Sequence, residues 1–347
     1  MDDFTFSPLE WENDTKKQTN SKELLLRTKD YESTQDSLIH FVEQGYMNVL
    51  ASNMGIKPKQ LSYDIIQSIP SSAHMFMCAA KWSKYRQIYS FDKTLLDYLL
   101  ENVNATSINS NMLLYKLPFP AFYVKNTINI GKYCIEGFYV YLNKFYENNR
   151  IALEICAGVK NTEYTFTYTI TLEKDDEFPL NEYIKFSSED NTFVPQEDLD
   201  SIEDTYSRFL QAAIILITYL CTDKVDVVRR KEEYTPRDSK NKKPQKADLK
   251  LVGAKTARII KERKTRYVYE DSKEVTGDRK GKPKAAHFRS AHYHSFWTGK
   301  RDEPEKRQLI VKLLDPIFVN GNNKEIPVTE RKVVNEGRTH KTERNMI

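Results

Sequence analysis

The sequence is poor in glycine, and it lacks the short motifs by which many enzymes are recognised. Its 347 residues include 11 glycines, so loops that cradle phosphate groups through glycine backbone are scarce. The patterns G-x-x-x-x-G-K-[ST], G-x-G-x-x-G, H-E-x-x-H and G-x-S-x-G are all absent. No catalytic constellation is visible, and we therefore predict that the protein is not an enzyme.

Cysteines and long apolar runs are also scarce. The four cysteines are Cys78, Cys134, Cys156 and Cys221. They lie far apart without a C-x-x-C pair, which favours reduced, buried thiols in a cytoplasmic protein. The longest apolar run, Phe209–Cys221, is too short to cross a bilayer and predicts a buried helix. The acidic first residues, MDDFTFSPLEWENDTKK, lack the apolar core of a signal peptide.

The charge is unevenly distributed along the chain. Residues 224–347 hold 33 basic and 18 acidic side chains, a balance of +15. Residues 1–223 hold 20 basic and 31 acidic side chains, a balance of −11, which gives the net charge of +4. Such a division is typical of a basic region that meets RNA or DNA, but it also fits a basic segment docked on an acidic body.

Hydrophobic periodicity predicts an α+β fold. The alternation in TEYTFTYTITLE, residues 162–173, indicates a strand, and residues 150–173 read as a hairpin. Apolar residues at helical spacing predict a long buried helix over 198–221. We expect a helical N-terminal region, a central antiparallel sheet, this buried helix, and C-terminal strands that complete the sheet. The predicted regions are a helical region 1–110, a sheet with the buried helix 111–228, a basic loop or linker with a short helix and strand 229–285, a closing strand segment 286–321, and a charged mobile tail 322–347.

Three of the six histidines lie in one stretch, AAHFRSAHYHSFWTG, residues 285–299. In an extended chain His292 and His294 share a face, about 6.5 Å apart, and two such histidines can chelate a metal if a distant carboxylate completes the site. Alternatively, Arg289 and the aromatic side chains can grip phosphates and unpaired bases. The third interpretation is structural: the stretch is a strand that pairs with RQLIVKLLDPIFVN, with its His and Trp side chains buried, and borders a binding surface.

The nucleic-acid interpretation involves basic side chains outside this stretch as well. Two lysine-rich segments precede it, at 229–250 and 271–284. The residues predicted to bind nucleic acid are Lys242, Lys243, Lys246, Lys280, Lys282 and Arg289. This interpretation predicts an RNA- or DNA-binding protein, or a metal-dependent nuclease, of a mobile element.

The stretch HFRSAHYHSFWTGKRDEPEKRQLIVKLLDPIFVN, residues 287–320, resembles the C-terminal signature of the type V-A anti-CRISPR family. That signature is His-x-Arg-x-(small)-His-(aromatic)-His-x-(aromatic)-Trp-x-Gly, a short charged gap, and a strand that ends in Pro-x-Phe-Val-Asn. Weaker similarities are AAKWSKYRQIYSFDKTLLDYLL, LYKLPFPAFYVK and GFYVYLNKFYENN. The resemblance covers residues 79–320. The family is carried by phages and plasmids.

The resemblance implies a protein that acts in the cytoplasm of a bacterial host. It would bind the nascent N-terminal peptide of the type V effector nuclease, and the effector's mRNA would then be lost. The ribosome or the mRNA is a further expected partner, whereas a cofactor, a metal and a membrane are not expected. The residues predicted to bind the peptide are His287, Arg289, His292, His294, Trp297, Phe318, Asn320, Phe119 and Trp82.

Overall fold

A seven-stranded sheet covered by helices on both faces is the framework of the protein. The computed structural model describes residues 7–31, 38–103, 110–146, 150–160, 162, 165–172, 199–234, 245–262, 287–300, 302–315 and 317–319. The helices are α1 (Pro8–Lys17), α2 (Thr19–Lys29), α3 (Leu38–Asn53), α4 (Tyr63–Tyr85), α5 (Lys93–Asn102), α6 (Ser110–Lys116), α7 (Leu199–Leu220) and α8 (Ala254–Glu262). Two short 3₁₀ helices span Pro58–Gln60 and Pro304–Lys306.

The central sheet has the order β7-β6-β5-β2-β1-β9-β8. Its strands are β1 (Gln87–Phe91), β2 (Ala121–Val124), β5 (Phe138–Tyr146), β6 (Arg150–Gly158), β7 (Thr165–Leu172), β8 (Val227–Tyr234) and β9 (Gln245–Val252). The remaining strands are β3 (Ile128–Ile130), β4 (Tyr133–Ile135), β10 (His287–Arg289), β11 (His292–Thr298), β12 (Gln308–Leu314) and β13 (Ile317–Val319). These six form separate antiparallel pairs, β3 with β4, β10 with β13, and β11 with β12.

Each face of the sheet has its own apolar core. Helices α1 to α4 cover one face, where Trp82 and Met77 of α4 pack against Tyr123 and Tyr139 of the sheet. Helices α5 to α7 cover the other face, where Phe209 of α7 lies edge-on to the Phe138 ring, with 5.6 Å between centroids. None of the described helices is long and apolar enough to cross a membrane.

The α+β class is confirmed, but the sheet differs from the prediction in two ways. It is mixed rather than antiparallel, because β1 runs parallel to both β2 and β9. The strands that complete it are β8 and β9, and not the C-terminal strands, which pair with one another beside it. The predicted basic loop or linker, 229–285, was therefore wrong at both ends of its lysine-rich segment 229–250. Those ends form strands because they bond as a regular antiparallel ladder from Val227↔Val252 to Tyr234↔Gln245.

The predicted helical region 1–110 contains one strand, β1, whose side chains are largely buried at the centre of the sheet. Helix α4 of the same region continues through Pro70, although a proline inside a helix favours its end. Proline removes one helical hydrogen bond, and Pro70 is exposed, so water can reach the carbonyl left without a donor. The short helix predicted in the basic region is confirmed as α8. The strand predicted after α8 and the tail 322–347 lie outside the described residues.

Candidate partner-binding surface

The histidine-rich stretch forms one strand of a hairpin, as the structural interpretation predicts. That interpretation was wrong to expect buried His and Trp side chains, because Trp297 is 41% exposed and His294 is exposed as well. Strand β11 pairs with β12 in a continuous register from His292↔Leu314 to Thr298↔Gln308. Gly299 follows β11 with a φ of +95°, in the region that favours glycine, and it turns the chain out of the strand. This backbone requirement gives a physical reason for the glycine of the signature.

The inner face of the hairpin is fixed to α7. Tyr293 is 1% exposed, and its hydroxyl donates a hydrogen bond to the Ile215 carbonyl of α7 at 2.8 Å. Burial raises the pKa of the Tyr293 hydroxyl well above its ordinary value, so the group stays protonated and remains a donor. Ala291, Leu309 and Val311 are buried in the same core.

A carboxylate at the end of α7 holds the second strand of the hairpin. Asp223 accepts a hydrogen bond from the Val311 backbone N–H at 2.7 Å, and its own N–H donates to the Val311 carbonyl at 3.1 Å. The other carboxylate oxygen of Asp223 pairs with Lys116 of α6 at 2.8 Å. The hairpin is therefore joined to two helices by polar contacts as well as by apolar packing.

Aromatic and basic side chains are exposed at two places on the hairpin, namely the far end of its inner face, where Trp297 lies, and its outer face, where Phe296 lies. Trp297 is 41% exposed, lies edge-on to Tyr115 of α6 with 5.6 Å between centroids, and has the Arg307 guanidinium 5.6 Å from its ring centroid. Phe296 is 36% exposed, and the Lys312 ammonium lies 5.1 Å from its ring centroid. We call the side chains of Tyr115, His292, His294, Phe296, Trp297, Arg307, Lys312 and Leu314 the hairpin surface.

The histidines lie on the outer face, which also carries Phe296. His294 is exposed, and its ring centroid is 6.0 Å from that of Phe296. His292 is half-buried, and its Nδ1 lies 3.1 Å from the Ser290 carbonyl oxygen. Among the described residues, no three His, Cys, Asp or Glu side chains lie close enough together to hold a metal ion.

The other predicted binding residues are not all brought together. Trp82 is fully buried, and its indole N–H donates to the Gln87 carbonyl at 2.9 Å, so its assignment to a binding surface was wrong. Trp82 lies in the apolar core between α4 and the sheet. Phe119 is half-buried, and it lies near β9, where the Lys250 ammonium is 4.0 Å from its ring centroid.

Several predicted residues belong to β10 and β13 or lie outside the described parts of the chain. His287 and Arg289 are in β10, which pairs with β13 so that Phe288 is opposite Phe318. Of the predicted nucleic-acid residues, Lys246 is exposed and pairs with Glu233 at 2.8 Å. The predictions that lie outside the described residues concern Asn320, Lys242, Lys243, Lys280 and Lys282.

The residues predicted to bind a partner omit five members of the hairpin surface, namely Tyr115, Phe296, Arg307, Lys312 and Leu314. A signal existed for two of them, because the alternation of RQLIVKLL places Lys312 and Leu314 on the side opposite the buried Leu309 and Val311. Tyr115 comes from a distant helix, and only the tertiary structure brings it to Trp297.

A rigid α+β framework that displays solvent-exposed aromatic and basic side chains is typical of a protein that binds another macromolecule. Comparisons with known proteins identify the family to which this binding protein belongs. A model of the AcrVA2-like family, described as the anti-CRISPR type V subtype A2 family, matches residues 89–321, more than half of the chain. The chain belongs to this family and is an anti-CRISPR protein, as the signature predicts.

The solved structures include a similar one. A chain described as "Crystal structure of AcrVA2" has a TM-score of 0.47 with this protein at 13% sequence identity. The similarity covers 91% of this chain and 100% of that chain. Among proteins with curated descriptions, none matches this chain.

Proposed function

We propose that this anti-CRISPR protein binds the nascent N-terminal peptide of a type V effector nuclease, and that this binding lowers effector biogenesis through loss of the effector mRNA. It acts in the cytoplasm of the bacterial host as a binding protein, without catalysis of its own. The observation that carries the proposal is the hairpin surface, which lies within the residues matched by the family model.

The chemistry of the hairpin surface suits a peptide. Exposed Trp, Tyr and Arg side chains are the residue types that contribute most to protein interfaces. Trp297 and Phe296 offer two apolar ring surfaces, while Arg307 and Lys312 beside them can hydrogen-bond to peptide carbonyls or carboxylates. Because Tyr293 and Asp223 fix the hairpin to α7, little ordering accompanies binding, which favours affinity.

Binding of a synthetic effector N-terminal peptide, measured by fluorescence anisotropy, tests the proposal. We expect Trp297→Ala to weaken binding by a factor of about 30, which corresponds to the loss of an anchor worth about 2 kcal/mol. Tyr63→Ala is the matched control, because Tyr63 is a 71% exposed aromatic residue at the start of α4, away from the hairpin. Equal affinities of the Trp297→Ala and Tyr63→Ala proteins would contradict the assignment of the surface.

A second candidate function is nucleic-acid binding. The observation that favours it is the run of exposed basic residues Arg229, Arg230 and Lys231 on the edge strand β8. Steep salt dependence of RNA binding would support this candidate, and binding that does not change with salt would count against it.

A further inference from the structure

Lys250 of β9 is a lysine whose charge has no counterion in the part of the chain that the structure describes. The residue is 7% exposed, and its ammonium donates a hydrogen bond to the Tyr89 hydroxyl at 3.1 Å. The rings of Phe119 and Tyr89 lie 4.0 and 4.8 Å from the ammonium, measured to their centroids. Buried charges are normally paired, yet the described residues place no carboxylate within ion-pair distance of Lys250.

The neighbouring cross-strand pairs show that a lysine without a counterion is an exception on these strands. On the face of β8 and β9 that carries Lys250, Glu233 lies opposite Lys246, and the two side chains form an ion pair at 2.8 Å. The next pair on that face, Lys231 opposite Asp248, also combines opposite charges. The third pair is Arg229 opposite Lys250. Like charges directly opposite each other are destabilising, and the ladder has one such pair at this position.

Three side chains with hydrogen-bond donors therefore lie side by side on three adjacent strands. The register places Tyr89 of β1 beside Lys250, and Arg229 of β8 on its other side, so all three side chains share one face. Because the Tyr89 hydroxyl accepts its hydrogen bond from Lys250, its own proton remains to be donated. Burial, followed by the charge of Arg229, lowers the pKa of Lys250 to about 8, while Asp248 opposes this shift.

We infer that Arg229, Lys250 and Tyr89 form a binding site for a phosphate group. A phosphate group offers several oxygens to the three donors, and its negative charge would neutralise the repulsion between the two cations. The guanidinium fork of Arg229, which is exposed, matches phosphate geometry. The site lies away from the hairpin surface, and the inference is independent of peptide binding. Two sources have this chemistry, namely free phosphate compounds and the backbone of RNA.

Thermal unfolding in inorganic phosphate tests the site directly. At constant ionic strength, we expect phosphate to raise the Tm of the full-length protein relative to chloride and acetate. The increase should disappear in Lys250→Met and Arg229→Gln, and it should persist in Lys246→Met, the control on the same strand. Since Lys250→Met removes a buried charge, its Tm in chloride should be at least that of the unmodified protein, so the lost response would not reflect misfolding.

Two results would overturn the inference. One is an equal Tm of the unmodified protein in phosphate, chloride and acetate. The other is loss of the phosphate response in Lys246→Met to the same extent as in Lys250→Met.

Binding of a fluorescent single-stranded RNA separates the two sources. If the RNA backbone supplies the phosphate, Lys250→Met and Arg229→Gln should each weaken RNA binding about tenfold. The control Lys59→Met, at an exposed lysine of the first 3₁₀ helix, should change it less than twofold. If free phosphate compounds are the source, the effect of phosphate on the Tm should occur without measurable RNA binding. Both results support a phosphate site, and RNA binding that is equally sensitive to all three substitutions would count against it.

Discussion

Removal of one buried hydroxyl tests how the hairpin surface is held in place. In Tyr293→Phe the aromatic ring and its packing remain, and the hydrogen bond to the Ile215 carbonyl is lost. A hydrogen bond of this kind contributes about 0.5–1.5 kcal/mol net. Because Tyr293 is 1% exposed and the 2.8 Å contact is short, we expect a loss near the middle of that range, about 1 kcal/mol. For a chain of 347 residues, that loss lowers the Tm by about 1.4 °C.

The assay is urea unfolding followed by circular dichroism, together with hydrogen exchange of the β11 and β12 amides, which should exchange faster in the variant. Tyr63→Phe is the matched control, because it makes the same chemical change at a tyrosine that is 71% exposed. Such a surface change should alter stability by less than about 0.5 kcal/mol. If Tyr293→Phe unfolds at the same urea concentration as Tyr63→Phe, the hydroxyl does not anchor the hairpin, and the reasoning fails.

Two further predictions concern buried ionisable groups. Burial is the main cause that raises the pKa of Glu154 above its ordinary value of 4.5, so the folded protein holds this proton more tightly than the unfolded chain. Its contribution to stability therefore falls as pH rises from 4.5 to the raised pKa, and Glu154→Gln should gain stability relative to the unmodified protein as the pH rises from 5 to 7. The Tm values of both proteins at the two pH values check this, and an unchanged difference would contradict it. Burial also raises the pKa of the Cys78 and Cys221 thiols, so iodoacetamide should label the half-buried Cys134 first in the native protein. Mass spectrometry of the labelled peptides checks the order, and equal labelling of Cys78 and Cys134 would refute it.

Elements with strong local signals could be predicted from the sequence. The start of α5 is one example, because the Asp92 carboxylate accepts a hydrogen bond from the Thr94 N–H at 2.9 Å, as its position before an apolar helix predicts. The alternation in β7 is another, since Phe166, Tyr168 and Ile170 are all buried. In both cases, local chemistry and tertiary packing favour the same structure.

Other elements depend on contacts between distant parts of the chain. Strand β8 consists mainly of charged residues with exposed side chains, so its sequence resembles that of a loop, and only the hydrogen bonds to β9 make it a strand. Pro70 predicts the end of a helix, but the buried second half of α4 continues the same helix. These tertiary contacts outweigh the local preference.

The candidate site also combines features that the sequence predicts with features that depend on tertiary contacts. The pairing of β11 with β12 could be predicted from alternating side chains, and the inward position of Tyr293 followed from it. The exposure of Trp297 could not be predicted from this pattern. Trp297 shares the inner face with Tyr293 and differs from it only in its position at the far end of the hairpin, beside Tyr115. The position of Arg229 opposite Lys250 could not be predicted either, because it depends on the register of a hairpin whose sequence resembles that of a loop.

Peptide recognition during translation is the central claim, and the transcript level of a type V effector gene co-expressed with this protein tests it most directly. A matched gene keeps nearly the same bases but has a frameshifted first segment, so its mRNA is almost unchanged while its nascent peptide differs. We predict that the transcript falls only when the authentic reading frame is translated. An equal fall for both genes would contradict peptide recognition and favour recognition of RNA, and no fall for either would exclude this effector as the target.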